Sequence, residues 1–177
     1  MEFQPLDING VVLICPNVAD DSRGRFVKPF AVSLFKSNNL RTDFVEQYYS
    51  YSKPGVIRGM HFQSPPHQHA KLVYCVMGMV KDVLLDLRNG PDYGKALSLT
   101  LSADTGEALY IPEGVAHGFA TRNGPALMVY NVTSEYQREY DHGLRWDSFG
   151  FDWGTNSPVV SERDSNFPRF EDFSTQF

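Results

Sequence analysis

The sequence holds only two cysteines among its 177 residues, Cys15 and Cys75, and each stands alone in an apolar segment. Isolated cysteines exclude a disulfide framework and predict a protein of the reducing cytoplasm. No apolar run reaches the ~18 residues that a membrane-spanning helix needs. The first ten residues have neither the basic start nor the apolar run of a signal peptide, so we expect no membrane partner.

Positive charge is also scarce, because 16 Lys and Arg stand against 21 Asp and Glu and leave a net charge of -5. No basic cluster is long enough to predict binding to nucleic acid. An anionic ligand must then be bound by a few local cations. Internal repeats and low-complexity linkers are absent as well, and 42% hydrophobic residues suffice for one core. We therefore expect one domain over residues 1–177.

Helical periodicity is rare, and only the segment from Ala31 to Leu40 suggests a short helix. The rest of the chain consists of short β-rich segments separated by Gly, Pro, Asn and Asp. "KLVYCVMGMVKDVLLDLR" predicts two strands joined by a turn or bulge at Gly78. Further strands are predicted at 96–101, 108–111, 117–121 and 126–133. This spacing predicts an all-β sandwich or jelly-roll barrel, and the Phe-rich segment 150–177 is expected to wrap onto it.

Three of the five histidines lie within "RGMHFQSPPHQHAK". The pair His67 and His69 would share one face of a strand, and "PEGVAH", which ends at His117, resembles the second motif of the cupin superfamily. Metal-binding cupins surround a divalent ion with a His-x-His pair, a nearby Glu and that later histidine. The glutamate is missing here, and Lys71 would repel a divalent ion. A metal site of these three histidines stays open, although a polar loop after a strand is the favoured explanation of His67 and His69.

His61 differs from the other histidines because it follows "GVIRGM" in a predicted strand. Strict alternation would place Arg58 and His61 on opposite faces. Their use at one site requires a twist or a bulge near Gly59.

Seven segments in order resemble the family of dTDP-4-dehydrorhamnose 3,5-epimerases, from about Ile14 to Phe170. They are "DSRGRF", "VIRGMHFQSPPHQHAKLV", "DVLLDLRNG", "YIPEGVAHGFA", "VYNVTSEY", "GLRWDSFGFDW" and "SPVVSERD". The resemblance implies a cupin-type double-stranded β-helix, a jelly-roll barrel with short peripheral helices, that acts on a nucleotide sugar without a metal or other cofactor.

The resemblance also implies a role for individual residues. His61 corresponds to the catalytic base, Asp164 to its carboxylate partner, Lys71 to the cation beside the sugar carbonyl, and Tyr130 to the phenol on the opposite face. Further positions matching ligand-binding residues are Arg58, His117, Gln47, Tyr49, Glu139, Arg163, Arg23, Phe26 and Lys28. Among these, Arg23 and Phe26 are expected to reach the ligand of a neighbouring subunit, which implies a homodimer.

These residue types suit the inversion of a carbon next to a ketone, which loses a proton and regains it from the other side. An imidazole of ordinary pKa ~6.5 is a suitable base, and a phenol of pKa ~10 stays protonated at neutral pH. A lysine can stabilise the oxyanion that develops on the carbonyl oxygen. A 4-keto-6-deoxyhexose offers two such carbons, 3 and 5. Taken one at a time, these residues also have explanations without catalysis. Tyr130 could be a core aromatic residue, Lys71 a surface cation and "SERD" a solvated turn.

Three departures from the family bear on the substrate. Lys28 stands where a Glu is common, Tyr49 where an Asn is common, and His69 where a Gln is usual, whereas Gln47 is retained. A base in place of an acid changes which nucleotide contacts are favourable. CDP and GDP therefore stay open as carriers beside dTDP, and inversion at one carbon stays open beside inversion at both. A metal-dependent cupin and an inactive sugar-nucleotide binder are the alternative functions.

Overall fold

The structure is a computed structural model that describes residues 1–155 and 157–177. Its strands are β1 (Glu2–Pro5), β2 (Val12–Cys15), β3 (Val18–Asp21), β4 (Gly24–Val27), β5 (Glu46–Ser52), β6 (Ile57–Gln63), β7 (Lys71–Asp86), β8 (Ala96–Ser102), β9 (Ala108–Ile111), β10 (Val115–Val132) and β11 (Asp141–Gly143). The helices are α1 (Val32–Ser37), α2 (Glu162–Ser165) and a 3₁₀ turn (Phe170–Asp172).

Nine strands form one antiparallel sheet, and β3 and β4 form a separate hairpin. The order in the large sheet is β1-β2-β9-β7-β10-β6-β11, with β5 paired to β10 and β8 paired to β7. The all-β jelly-roll prediction with short peripheral helices is confirmed. The helix predicted from Ala31 to Leu40 is present but shorter, since it begins at Val32 and ends at Ser37.

The prediction of separate strands on either side of Gly78 is wrong, because β7 runs unbroken through this residue, but the bulge predicted there is matched by a shift in the register with β10. The strands predicted at 117–121 and 126–133 likewise form one strand, β10. Gly78 has φ +77°, and a Cβ there would lie 2.1 Å from the carbonyl oxygen of Pro125. The glycine therefore permits a close approach between two long strands where their register shifts.

Apolar side chains form three buried clusters. The barrel interior contains Val73, Leu84, Phe119 and Met128, and α1 contributes Phe35 to a cluster on the outside of the sheet. In the third cluster, aromatic side chains of the C-terminal segment cover buried residues of the barrel: Phe151, Phe170, Phe173 and Phe177 pack over Ile57, Met60, Leu85 and Trp153. The segment 150–177, expected to wrap onto the barrel, includes Asn156, which lies outside the described residues.

Membrane-spanning helices are absent from residues 1–155 and 157–177, since none there has the length and apolar character required.

Two exposed surfaces, one on the large sheet and one on the separate hairpin, carry apolar side chains. One face of β5 turns into the barrel, and the opposite face carries exposed aromatic side chains, Tyr49 and Tyr51. Nearby on β7, Val76 and Met77 are exposed as well. The hairpin of β3 and β4 projects Phe26, which is 64% exposed. Such apolar groups are unusual on a monomer when they lie together.

Candidate active site

A histidine–aspartate pair joins β6 to α2. The Nε2 atom of His61 lies 2.9 Å from Oδ1 of Asp164, and Oδ2 of Asp164 accepts a hydrogen bond from the Gly59 amide at 3.0 Å. Burial alone would raise the pKa of Asp164, but the hydrogen bond and charge of His61, with the Gly59 amide, hold that pKa below its ordinary value. The carboxylate is therefore ionised and orients the imidazole, leaving Nδ1 as the nitrogen free to take a proton.

The local sequence explains how Asp164 reaches β6. Val159 forms a parallel bridge with Val56, which anchors the C-terminal segment beside the start of β6. The hydroxyl of Ser161 then accepts a hydrogen bond from the Asp164 amide at 3.0 Å, which caps α2 at its N-terminus. The "SERD" segment is thus a capped helical turn that carries Asp164 on its first turn.

A bulge at Gly59 brings Arg58 and His61 to one face of β6. Arg58 pairs with Phe119 and His61 with His117, so three residue steps on β6 oppose two on β10. The extra residue reverses the alternation, as the sequence required. Gly59 has φ +130°, and a Cβ there would lie 2.5 Å from the Gly118 Cα. Only glycine suits this position.

Lys71, the first residue of β7, is buried beside the pair. Its Nζ donates a hydrogen bond to the carbonyl oxygen of His61 at 3.1 Å. Burial lowers the pKa of Lys71 to about 8, although the carboxylates of Asp141 and Asp82 act in the opposite direction. The ammonium is therefore a desolvated charge, in contrast to the solvated surface lysine that the residue alone would suggest.

Tyr130 on β10 is nearly fully buried, and its hydroxyl lies 3.1 Å from the hydroxyl of Ser50. Burial raises the pKa of Tyr130 well above its ordinary value. The phenol is therefore protonated throughout the neutral range. The neighbouring Tyr48 on β5 stacks on its ring, with centroids 4.7 Å apart.

A second buried histidine–carboxylate pair lies deeper in the barrel. Nε2 of His117 is 2.8 Å from Oδ2 of Asp82. The His117 ring also meets the Tyr130 ring edge to face, at 6.0 Å between centroids. Asp82 thus holds the imidazole of His117 against the phenol.

Two adjoining cavities are lined by His61, Lys71, Tyr130 and His117, whereas the carboxylate partners Asp164 and Asp82 line neither. The Tyr130 cavity, of about 160 Å³, is lined by Tyr48, Ser50, Arg58, His61, Lys71, His117, Gly118, Phe119 and Tyr130. The Asp141 cavity, of about 280 Å³, is lined by Glu46, Tyr48, His61, Phe62, Gln63, His69, Lys71, Val132, Tyr136, Asp141 and Arg163. They share Tyr48, His61 and Lys71, so one ligand can occupy both.

The fold places Gln47, Tyr49 and Glu139 outside both cavities, contrary to the sequence prediction. Gln47 Nε2 donates to Asn131 Oδ1 at 2.6 Å, Tyr49 is 71% exposed, and Glu139 lies exposed between β10 and β11. Their neighbours Glu46, Tyr48 and Asp141 line the cavities instead. A strand turns successive side chains to opposite faces, so a shift of one residue exchanges the inward and outward sets on β5.

Arg163 and Asp141 form a pair at the edge of the Asp141 cavity, with 2.6 Å between Nη2 and Oδ2. Half of the Arg163 side chain is exposed, so the pair contributes little to stability and can rearrange around an anion. Arg23, Phe26 and Lys28 lie on or just after the exposed hairpin and line neither cavity of their own chain.

The metal alternative is not supported by the placement of His67, His69 and His117. The first two lie in the loop before β7, so they do not share a strand face. His69 Nδ1 is 3.2 Å from Gln63 Nε2, and burial with the nearby Lys71 lowers the pKa of His69 to about 3. Throughout residues 1–155 and 157–177, no three His, Cys, Asp or Glu side chains are placed to hold a metal ion.

Comparison with known proteins identifies close relatives. The family model described as dTDP-4-dehydrorhamnose 3,5-epimerase matches residues 5–172. A dTDP-4-dehydrorhamnose 3,5-epimerase from Sinorhizobium fredii is 39% identical over 182 residues, covering 100% of this chain and 93% of the relative.

Two solved structures share the fold. A dTDP-6-deoxy-D-glucose-3,5-epimerase from Legionella pneumophila, in complex with dTDP-4-keto-L-rhamnose, superposes with a TM-score of 0.92 at 28% identity, over 98% of this chain and 94% of that one. A 3'-monoepimerase from Streptomyces bikiniensis, in complex with dTDP-quinovose, superposes with a TM-score of 0.87 at 28% identity. The superposition covers 93% of this chain and 86% of that one.

The matching family and both solved structures are epimerases, so this jelly-roll barrel with its acid–base site belongs to the isomerases. Both the match over residues 5–172 and the identity to the Sinorhizobium enzyme extend across nearly the whole chain. The chain belongs to the dTDP-4-dehydrorhamnose 3,5-epimerase family.

Proposed function

We propose that this protein epimerises a dTDP-linked 4-keto-6-deoxyhexose at carbons 3 and 5. The observation that carries the proposal is that His61, paired with Asp164, lines one cavity with the buried Lys71 and Tyr130. The reaction moves protons while the electrons stay within the substrate, so it requires no cofactor. We infer that it takes place in the cytoplasm, which suits the two unpaired cysteines.

The first step is removal of a proton from the carbon beside the ketone. Nδ1 of His61 takes this proton, since Nε2 is held by Asp164. The carbon–hydrogen electron pair becomes the enolate double bond, and the ketone π pair moves onto the oxygen. The ammonium of Lys71 stabilises that oxyanion, and Asp164 stabilises the imidazolium.

The second step returns a proton to the opposite face of the same carbon. The Tyr130 O–H bond breaks, its proton joins the carbon through the enolate π pair, and the ketone reforms. After the product leaves, water enters the emptied cavity; the phenolate regains a proton from this water, and His61 loses its proton to it. Arg58 and His117 line the same cavity and position the sugar, whereas Arg163 at the Asp141 cavity is placed for the phosphates.

Two observations favour dTDP over CDP and GDP as the carrier. The relatives that match along the full chain are named for dTDP-linked sugars. In addition, Tyr49, one of the departures that raised CDP and GDP, faces away from both cavities. The Lys28 departure still bears on the choice of nucleotide carrier, because Lys28 lies beside the projecting hairpin.

Incubation in deuterated water with dTDP-, CDP- and GDP-linked 4-keto-6-deoxyhexoses tests the substrate and the reaction together. We expect enzyme-dependent deuterium at carbons 3 and 5 of the dTDP sugar, read by NMR, because each inversion exchanges one proton. A reaction without enzyme corrects for spontaneous exchange. Label at carbon 3 alone would make the protein a single-centre enzyme, and no enzyme-dependent label would overturn the proposal.

A homodimer is the second part of the proposal. The exposed Phe26 and Arg23 of the hairpin line neither cavity of their own chain, and the outer sheet face exposes Tyr49, Tyr51 and Val76. Burial of such a face against a second copy would remove apolar surface from water. The hairpin would then complete the partner's site, with Arg23 near the phosphates.

Mixing two inactive variants tests this exchange. Arg23→Glu combined with Phe26→Ala damages the hairpin, and His61→Ala removes the base. Each variant alone should be nearly inactive. An equal mixture, unfolded and refolded together, should recover about a quarter of wild-type activity, because half of the dimers are mixed and each has one intact site. A fully active monomer in light scattering, or no recovery from mixed dimers, would contradict the shared site.

A further inference from the structure

Tyr48 lies directly against Tyr130, and no step of the proposed reaction uses Tyr48. The two residues are register partners on the antiparallel strands β5 and β10, so their side chains leave the sheet on the same face. Their rings are stacked, with centroids 4.7 Å apart and planes 15° apart. This contact depends on a single residue pair across two strands.

The two tyrosines differ in their access to water. Tyr130 is 6% exposed and Tyr48 is 40% exposed, so the ring of Tyr48 covers that of Tyr130 on the solvent side. Tyr48 also lines both cavities and therefore stands at their boundary. The hydroxyl of Tyr130 lies 3.1 Å from the hydroxyl of Ser50. Tyr48 contacts Tyr130 through its ring.

We propose that Tyr48 is a positioning residue that holds the Tyr130 phenol in place and keeps water away from it. The inference rests on the proposed function, in which an enolate must receive its proton from one face only. With Tyr48 in place, the proton comes from the Tyr130 O–H. Without its ring, a water O–H supplies the proton from either face, and the resulting hydroxide is neutralised by the imidazolium of His61. Loss of Tyr48 therefore lowers the fidelity of inversion more than the rate of proton removal.

The ratio of two deuterated species measures this fidelity. In deuterated water with the dTDP-linked 4-keto-6-deoxyhexose, NMR distinguishes label in recovered, uninverted substrate from label in epimerised product. We expect Tyr48→Phe to keep the wild-type ratio, because the ring remains. Tyr48→Leu should raise the uninverted fraction about tenfold relative to product, below the full contribution of a positioned acid. The matched control is Tyr93→Leu, since Tyr93 is also 40% exposed and stacks on Phe170.

A second measurement does not depend on activity. With ¹³C-labelled tyrosine, a neutral paramagnetic agent in the solvent should relax the Tyr130 ring protons faster in Tyr48→Leu than in wild type or Tyr48→Phe. Tyr48→Met replaces Tyr48→Leu if the latter does not fold. An unchanged label ratio and unchanged relaxation would overturn the inference, and so would a Tyr48→Phe variant that behaves like Tyr48→Leu. If wild type itself exchanges no proton, the proposed function fails, while the relaxation data still decide whether Tyr48 shields Tyr130.

Discussion

The substitution His61→Ala is expected to lower kcat for epimerisation by about 10³-fold, within the range that a positioned general base contributes. Both deuterium exchange and inversion should be lost, because proton removal comes before every later step. The fold should survive, since a third of the His61 side chain is exposed and the bulge depends on Gly59. Steady-state kinetics and a thermal unfolding curve of the same preparation check both statements.

His142→Ala is the matched control, because His142 is an exposed histidine on β11, which pairs with β6. It should keep wild-type kcat. If His61→Ala stayed within about tenfold of wild type, His61 would not be the base.

Replacement of Lys71 by methionine is expected to lower kcat by about 10²- to 10³-fold, the cost of losing one donor to a developing oxyanion. Methionine fills the buried space without a charge, so the barrel should remain folded. Exchange and inversion should fall together, since both pass through the enolate that Lys71 stabilises. Lys81→Met in the same strand is the control and should be near wild type. A variant with normal exchange but impaired inversion would place Lys71 elsewhere in the reaction.

The pH profile provides the second readout for Lys71. Burial lowers its pKa to about 8, with Asp141 and Asp82 as the nearby carboxylates that favour the charged form. The charged form is the active one, so kcat/KM, which reports on the free enzyme, should fall as pH rises through about 8. This alkaline limb should disappear in Lys71→Met. A profile level to pH 10 in wild type would contradict a catalytic charge on Lys71.

The one-residue error on β5 illustrates the limit of prediction from this sequence. In "EQYYSYS", polar and aromatic residues occur on both faces, so no hydrophobic alternation indicates which set points inward. Pairing with β10 decides which set of β5 side chains points inward, since Tyr48 is opposite Tyr130 and Tyr49 is opposite Val129. Glu46 and Tyr48 were therefore not recognised as cavity residues. Asp141 was missed for a similar reason, because its position depends on the pairing of β11 with β6.

The sequence by itself determined the family, the jelly-roll fold and the isomerase class. These follow from short contiguous motifs and from strand and turn patterns, which depend on residues that are neighbours in the chain. The resemblance implied that Asp164 partners His61, but only the tertiary structure decided how the site residues reach one another. Asp164 reaches His61 across 103 positions, and Arg58 joins them because a bulge at Gly59 reverses the strand alternation. Such contacts depend on register and chain crossing, so local propensities do not contain them.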